Sequence, residues 1–225
     1  MLIDVIMLAR GERSSLRMMT QQAINSIHAS EKDIQFNIIV VETIDGVTYK
    51  HCTVIHPNKK FNYNEFTKIG FSHISKDSEY VLFVNNDIKA HHDFAKHLVD
   101  GLMIYDSVSP VNPMMPQHKG LRGMFVEGFN IWHGSAEFCG WAFMMKTETV
   151  RENLNRFFPD EIEGWYSDNW MTDILKNEGY KHALVVRSRL DHLQSKTLRL
   201  LKKDEHDHYT TGQKDNYDKL LGGLE

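Results

Sequence analysis

The chain has 225 residues, of which 41% are hydrophobic and 25% are charged, and this composition is ordinary for a soluble globular protein with one sizeable domain. Its formal net charge of -4 gives no general basic footprint, so nucleic acid is not the default partner, although a local patch can still bind DNA. Two cysteines, Cys52 and Cys139, fit neither a disulfide framework nor a CxxC metal site, and they favour a reducing cytoplasm. No apolar run approaches the ~20 residues that a membrane helix needs.

Apolar runs and helical patterns alternate through the first half of the chain. The patterns predict strands over Ile3–Leu8, Phe36–Val41, Cys52–His56 and Tyr80–Val84, and helices over Ser14–Ala29 and Tyr63–Ile74. Strands that alternate with helices form βαβ units. We therefore expect an α/β fold with a mixed, mostly parallel sheet that is flanked by helices.

The second half opens with a predicted helix over His91–Tyr105 and then becomes irregular over residues 109–133. Prolines and glycines concentrate in that segment, as they do in long loops that act as lids or binding loops. Further on, the patterns predict strands over Phe138–Lys146 and Ala183–Val186, and helices over Thr147–Asn155 and Ser167–Glu178. We expect a polar cap at the start of the last helix and Gly179 at its end. The charged tail from Lys202 is either a surface helix or partly disordered.

The stretch Tyr80–Ile88 is an apolar run that stops on three polar side chains, Asn85, Asn86 and Asp87. Such a run is typical of a buried strand whose tip enters a crevice, and ligands of open α/β sheets bind beyond the carboxyl ends of the strands. A carboxylate flanked by neutral amides suits a hard cation that substrate phosphates also hold. The structural alternative is a strand-to-helix turn that Asp87 caps.

Other polar residues stand at the ends of predicted elements. Arg10 and Glu42 follow the first and second strands, Asp168 opens a helix after Trp165-Tyr166, and His192 follows the last strand. Each residue has a structural alternative as a surface charge, an ion-pair partner, a helix cap or a buried histidine. Because the tips of parallel strands converge, we expect these side chains to share one site.

Several motifs follow one another along the chain. They are Phe61-Asn62-Tyr63-Asn64, the stretch Tyr80–Ile88, Gly140–Lys146, Trp165–Asp168 with Gly179-Tyr180-Lys181, and His192–Thr197 with the pattern His-x-x-Ser-x-Thr. In this order they resemble the inverting GT-A glycosyltransferases of the family 2 type, and above all the rhamnosyltransferase-like members. The resemblance implies one GT-A-like, Rossmann-like domain over residues 1–201, with a nucleotide-sugar-binding half, 1–88, and an acceptor-side half, 89–201. The charged tail is then 202–225.

The resemblance also implies an activity and a set of site residues. The activity is metal-dependent transfer of a sugar, with inversion, from a UDP- or dTDP-linked donor to an acceptor hydroxyl. Asp87 and His192 would bind Mn²⁺ or Mg²⁺, and the histidine favours Mn²⁺. Asp168 would be the general base, which the N-terminus of its helix should keep ionised. The positions assigned to the nucleotide sugar are Arg10, Glu42, Asn62, Asn85 and Asn86.

Some residues depart from the family pattern. Asn85 replaces the first carboxylate of the usual Asp-x-Asp, Trp170 replaces a second aspartate of the catalytic motif, and Ala9-Arg10-Gly11 stands where Pro-Thr is usual. These changes motivate an alternative, a non-catalytic nucleotide-sugar-binding module, which the retained acidic residues and histidine oppose. A nucleotidyltransferase is a third hypothesis, and it would need a glycine-rich, lysine-bearing loop after the first strand.

Two acceptors compete, a growing glycan and a hydroxymethylated pyrimidine in phage DNA. Aromatic side chains that could stack on a sugar or on an extruded base are Trp132, Phe138, Trp141, Trp165 and Tyr166. The basic stretches 59–60, 119–122 and 196–203 favour DNA, whereas the acidic total opposes it. A viral protein of this kind would act in the host cytoplasm.

Overall fold

A computed structural model describes residues 1–129, 138–193 and 203–224 of the chain. The strands are β1 (Leu2–Ala9), β2 (Gln35–Glu42), β3 (Thr53–Ile55), β4 (Tyr80–Asn85), β5 (Ile88–Ala90), β6 (Ser107–Val111), β7 (Phe125–Glu127), β8 (Ala142–Lys146) and β9 (His182–His192). The helices are α1 (Ser14–Ser30), α2 (Tyr63–Phe71), α3 (Phe94–Leu102), α4 (Thr147–Phe157), α5 (Ser167–Asn177), α6 (Lys203–Tyr209) and α7 (Lys214–Leu221). In the described part of the chain no helix has the length and apolarity to cross a membrane.

The strands form one nine-stranded sheet in the order β3-β2-β1-β4-β8-β6-β9-β5, and β7 pairs with β9 outside this path. Strands β1, β2, β3, β4, β6 and β9 run in one direction, whereas β5, β7 and β8 run in the other. The mixed, mostly parallel α/β sheet expected from the sequence is therefore confirmed.

Each face of the sheet buries its own helical layer. Successive side chains of a strand point to opposite faces, so Ile3, Val5 and Met7 of β1 pack with α1 and α3, whereas Ile6 packs with α2, α4 and α5. This two-sided burial explains why β1, β2 and β4 are apolar along most of their length. Their tips are the first places where polar side chains can reach a crevice.

The segment predicted to be irregular over residues 109–133 contains part of the sheet. Strand β6 lies between β8 and β9, and β7 pairs with β9. Pro110 argues against a strand at β6 in the sequence, because proline cannot donate a hydrogen bond to a strand ladder and is rare inside sheets. Residues 130–137, including His133 and Trp132, lie outside the described residues, so the predicted lid is not tested there.

Strand β9 runs from His182 to His192, well beyond the predicted Ala183–Val186. Its first half pairs with β6 and β7, and its last residues pair with β5, with Ile88 opposite His192. Because β5 directly follows the tip of β4, this pairing carries His192 to that tip. The tertiary pairing, rather than apolar content, extends the strand through Arg187 and Arg189.

Candidate active site

A cleft of about 330 Å³ opens at the carboxyl ends of β1 and β4. Leu8 of β1 and Arg10 just after it line the cleft, and so do Asn85 at the end of β4 and the following Asn86 and Asp87. In the sheet, β1 lies between β2, which follows it along the chain, and β4 on its other side. The cleft is therefore at a topological switch point, the usual position of ligands in open α/β sheets.

The polar tip of β4 faces this cleft, as the sequence predicts. Asn86 is buried and its Nδ2 donates a hydrogen bond to Thr20 Oγ1 at 2.9 Å, which anchors the tip to α1. Asn85 Nδ2 lies 3.5 Å from His192 Nε2. The tip is thus held by neighbouring elements while it lines the cleft.

Asp87 and His192 form a pair at the floor of the cleft. His192 Nε2 lies 3.2 Å from Asp87 Oδ1, and the side chains are only 9% and 4% exposed respectively. The backbone N–H of Leu193 donates to Asp87 O at 2.9 Å, which fixes the two strands at this point. Trp141 stacks on the imidazole, with ring centres 5.0 Å apart and planes 10° apart. The predicted metal ligands are therefore brought together in a defined orientation.

Asp168 faces the same cleft from the first turn of α5. The helix starts after Tyr166, which has φ of 74° and provides no side-chain cap, so the predicted polar cap is wrong. The predicted helix end is confirmed, since Gly179 follows α5 with a positive φ of 74°. Asp168 Oδ1 accepts a hydrogen bond from the N–H of Asn169 at 3.0 Å.

Burial raises the pKa of Asp168 above its ordinary value of 3.8, and it outweighs the backbone hydrogen bonds that lower the pKa. The expectation that the helix N-terminus keeps Asp168 ionised stays a prediction, because backbone hydrogen bonds at this end lower the pKa while burial raises it. Tyr63 lies nearby; burial, and after it the charge of Asp168, raises the pKa of the Tyr63 hydroxyl. The site thus pairs a carboxylate of raised basicity with a neutral phenol.

Gly140 packs directly against Asp168. A Cβ at residue 140 would lie 2.5 Å from Asp168 Cβ and 3.0 Å from Asp168 Oδ2. Asp168 is the expected general base, so we expect Gly140→Ala to displace its carboxylate and to lower kcat by roughly 10- to 100-fold, because small misplacements of a reacting group are costly. Steady-state kinetics and thermal unfolding would check this. Gly222→Ala is the control, since its Cβ would meet nothing nearer than 3.6 Å; an unchanged kcat in Gly140→Ala would contradict the prediction.

Arg10 lies where the cleft meets a second cavity of about 530 Å³. Its Nη2 donates to Glu12 Oε1 and to Glu205 Oε1, each at 2.6 Å. Burial lowers the pKa of Arg10, but the bonds to Glu205 and Glu12 more than offset this. The guanidinium carbon also lies 5.7 Å from the ring centre of Phe61 and 6.0 Å from that of Tyr209. Arg10 is therefore a positively charged side chain, fixed by two carboxylates and two rings, that lines both cavities.

Glu42 and Asn62 do not line the cleft. Glu42 is fully buried, and its carboxylate accepts hydrogen bonds from the N–H groups of Gly11 and Ile44 and from Tyr49 Oη. Asn62 caps α2 by accepting from the N–H of Glu65. Their predicted donor contacts stay predictions, and the structure gives each of them an internal role.

The predicted aromatic cluster divides between cleft and packing. Phe138, Trp141 and Trp165 line the cleft, and Trp165 is 49% exposed at its mouth. Tyr166 stacks on Tyr217 instead, and Trp132 lies outside the described residues. His192 and Leu193 of the predicted late motif are described, whereas its residues 194–197 are not.

Sequence reasoning missed two kinds of cleft residue. Phe61 and Tyr63 belong to a motif used for the resemblance, and this motif was the signal that could have assigned them to the cleft. Tyr209 had no such signal, because it lies in the charged tail far from every motif. Only the folding back of α6 brings the Tyr209 ring to the cleft.

No protein-family model matches the chain, and no curated protein sequence matches it. Solved structures do match. GalNAc-T7, in a structure with UDP, GalNAc and Mn²⁺, superposes with a TM-score of 0.63 and 11% identity over 84% of this chain and 43% of that one. S. aureus TarS superposes with a TM-score of 0.56 and 11% identity over 96% of this chain and 72% of that one. The catalytic domain of Drosophila β1,4-galactosyltransferase 7 superposes with a TM-score of 0.56 and 12% identity over 90% of this chain and 74% of that one. This chain spans less than half of the GalNAc-T7 chain. These likenesses show that the chain has the fold of GT-A glycosyltransferases.

Proposed function

We propose that this protein is a metal-dependent glycosyltransferase that moves a sugar, with inversion, from a nucleoside diphosphate donor to an acceptor hydroxyl. One observation carries the proposal. The Asp87–His192 pair and Asp168 line the same cleft at the switch point of a GT-A sheet. Charge stabilisation for the leaving group and a base for the acceptor are the two functions that this reaction needs.

Asp87 and His192 fit a divalent cation. Two ligands about 2.1 Å from an ion and at right angles to each other lie about 3.0 Å apart, close to the observed 3.2 Å. In the described ranges no group of three or more His, Cys, Asp or Glu side chains could hold a metal. Diphosphate oxygens and water would therefore complete the shell, as is usual for Mg²⁺ and Mn²⁺. When bound, the ion neutralises charge on the departing diphosphate. GalNAc-T7 was solved with UDP and Mn²⁺.

The donor fits along the boundary between the two cavities. Arg10, Asn85 and Asn86 line the cleft that holds the Asp87–His192 pair. Arg10 and Asn85 can hydrogen-bond to phosphate or sugar oxygens, whereas the Asn86 amide already donates to Thr20. Thr43 and Ile44, just beyond β2, line the second cavity. We place the nucleoside there, with Glu42 holding the backbone of this wall. A TarS structure with UDP-GlcNAc supports a nucleotide sugar on this fold.

Asp168 is the proposed general base. It accepts the proton of the acceptor hydroxyl while the hydroxyl oxygen bonds to the anomeric carbon and the carbon–oxygen bond to the diphosphate breaks. A displacement in one step from the opposite face inverts that carbon. The raised pKa of Asp168 makes its carboxylate a stronger base than an exposed aspartate, provided that it is ionised at the working pH.

The pH profile of transfer tests the protonation state of Asp168. A base works only when it is deprotonated, so kcat should fall as the pH drops through the raised pKa of Asp168, above 3.8. Because burial raises the pKa of Asp168, we expect this fall in kcat on the acid side of the profile to occur at higher pH than for an exposed aspartate. Initial rates at saturating donor, with donor affinity measured at each pH as the control, would check this. A flat profile down to the ordinary pKa would contradict it.

The acceptor hydroxyl is expected to be carried by a ring. Trp165, exposed beside Asp168, offers an aromatic face on which a sugar or a base can stack. A glycan is the first candidate, because Lys59 and Lys60 are neutralised by Glu65 and Glu163. A hydroxymethylated pyrimidine in DNA is the second, favoured by the flat aromatic face. Steep loss of binding with salt is expected for DNA only.

Release of free nucleoside diphosphate tests the function directly. The purified protein is incubated with UDP- and dTDP-sugars and Mn²⁺, without acceptor, with oligosaccharides, and with hydroxymethylated DNA. Release from one donor that rises with one acceptor class would support the proposal and identify both substrates. Donor binding without release under any condition would favour the non-catalytic binding module instead.

A further inference from the structure

The loop that leads to Asp168, residues 161–166, is held by the C-terminal segment, residues 203–224. Backbone groups along the loop bond to that segment. The bonds are Glu161 O to Asn216 Nδ2, Glu163 N to Gln213 Oε1 and Trp165 N to Tyr209 O, each 2.8 Å long. A segment that looks like a charged tail in the sequence therefore supports this loop, together with α2, where the N–H of Tyr63 donates to Glu163 O at 2.7 Å.

Side chains extend the same contact to α5. The rings of Tyr166 and Tyr217 stack with their centres 5.2 Å apart and their planes 23° apart. Tyr217 Oη also donates a hydrogen bond to the carboxylate of Asp173, one and a half turns along α5 from Asp168. His208 Nε2 lies 2.7 Å from Glu163 Oε2 at the other end of the loop.

Tyr166 needs this support. Its φ of 74° lies in the left-handed region, which is unfavourable for a bulky side chain and persists only where the surroundings hold it. This residue sets the direction in which α5 begins, and Asp168 is the second residue of that helix. Any relaxation of Tyr166 would turn the first helical turn and move the carboxylate.

We propose that the C-terminal segment is a working part of the active site and that Tyr217 is a positioning residue, which holds Tyr166 in its left-handed conformation and so places Asp168 against the acceptor. The inference rests on the proposed function, since it assigns a role in transfer. The donor contacts proposed above come from the ends of β1, β2 and β4, and Tyr217 lines neither of the two cavities. Loss of Tyr217 should therefore affect the chemical step more than donor binding.

The test compares Tyr217→Ala, Tyr217→Phe and the control Asp215→Ala, which changes an exposed residue of the same helix. In Tyr217→Ala we expect kcat to fall by at least tenfold, donor Kd to stay within about twofold, and hydrogen exchange of residues 161–169 to rise. Tyr217→Phe keeps the ring and should retain most of kcat. A shift of the acid limb of the pH profile in Tyr217→Ala would report a changed environment of Asp168, which general destabilisation does not produce.

Two results would overturn the proposal, and a third would overturn its assignment to the ring stack. One is a Tyr217→Ala variant whose exchange over residues 161–169 matches that of Asp215→Ala. The other is faster exchange in Tyr217→Ala with an unchanged kcat, which would show that the Tyr166–Tyr217 contact has no role in transfer. If Tyr217→Phe loses as much as Tyr217→Ala, the assignment to the ring stack is wrong. The exchange measurement needs no substrate. It therefore tests whether Tyr217 holds residues 161–169 even if the wild-type protein transfers no sugar and the proposed function fails.

Discussion

Replacing Asp168 with asparagine is expected to abolish sugar transfer and to leave donor binding within about twofold of the wild type. A positioned general base contributes about 10²- to 10⁴-fold to the rate, and asparagine keeps the shape of the side chain without its basicity. The oxygen of asparagine can still accept from the N–H of Asn169, so the first turn of α5 should persist. Donor-release kinetics and calorimetry with UDP would measure the two effects separately.

The same variant should unfold at an equal or higher temperature. The pKa of Asp168 is higher in the folded protein, so the folded state holds this proton more tightly than the unfolded chain does. Stability is therefore lost as pH rises through that pKa, and a neutral side chain avoids the loss. Asp33→Asn, in the exposed turn after α1, is the control for the charge change. Transfer that survives in Asp168→Asn would remove Asp168 from the role of base.

Asp87→Asn is expected to weaken Mn²⁺-dependent donor binding by at least tenfold. Asparagine removes the charged oxygen ligand next to His192, so the ion loses one of the two side chains proposed to hold it. Without metal, Asp87→Asn should leave donor affinity unchanged or increase it, because the neutral side chain no longer repels the diphosphate. Calorimetry with UDP in Mn²⁺ and in EDTA would measure both conditions.

Asp191→Asn is the matched control for that measurement. Asp191 is the neighbour of His192 on β9, but its carboxylate lies 2.9 Å from His91 Nε2 and does not line the cleft. It should bind UDP like the wild type in both buffers. Equal binding by Asp87→Asn and Asp191→Asn in Mn²⁺ would exclude Asp87 from the metal site, whatever the outcome for Asp168.

The sheet and the polar tip of β4 were predictable because their signals are local. An apolar run buried on both faces is visible in the sequence, and so is its abrupt end at Asn85. The parallel core follows from alternating strands and helices, and it places the tips of β1 and β4 on one edge. Arg10, Asn85, Asn86, Asp87, Asp168 and His192 all line the cleft where these tips meet.

Strand β6 and the full length of β9 were not predictable in this way. Pro110 argues against a strand, and the arginines of β9 interrupt its apolar pattern. Each becomes a strand because partners on both sides supply its hydrogen bonds. Glu42 and Asn62 show the same limit, since a polar residue at the end of a strand or the start of a helix can satisfy its own neighbours instead of a ligand.

The amino-acid sequence by itself determined the α/β class, the strand tip that carries Asp87, and the residue types available for metal binding and base catalysis, because these depend on short-range pattern and side-chain chemistry. The tertiary structure alone decided that Asp87 meets His192 across β5 and β9 and that Gly140 lies against Asp168. It also decided that, from the C-terminal segment, Tyr209 lines the cleft and Tyr217 packs on Tyr166. Contacts between residues so far apart along the chain depend on strand pairing and on burial of the helices. Neither is written in any local pattern.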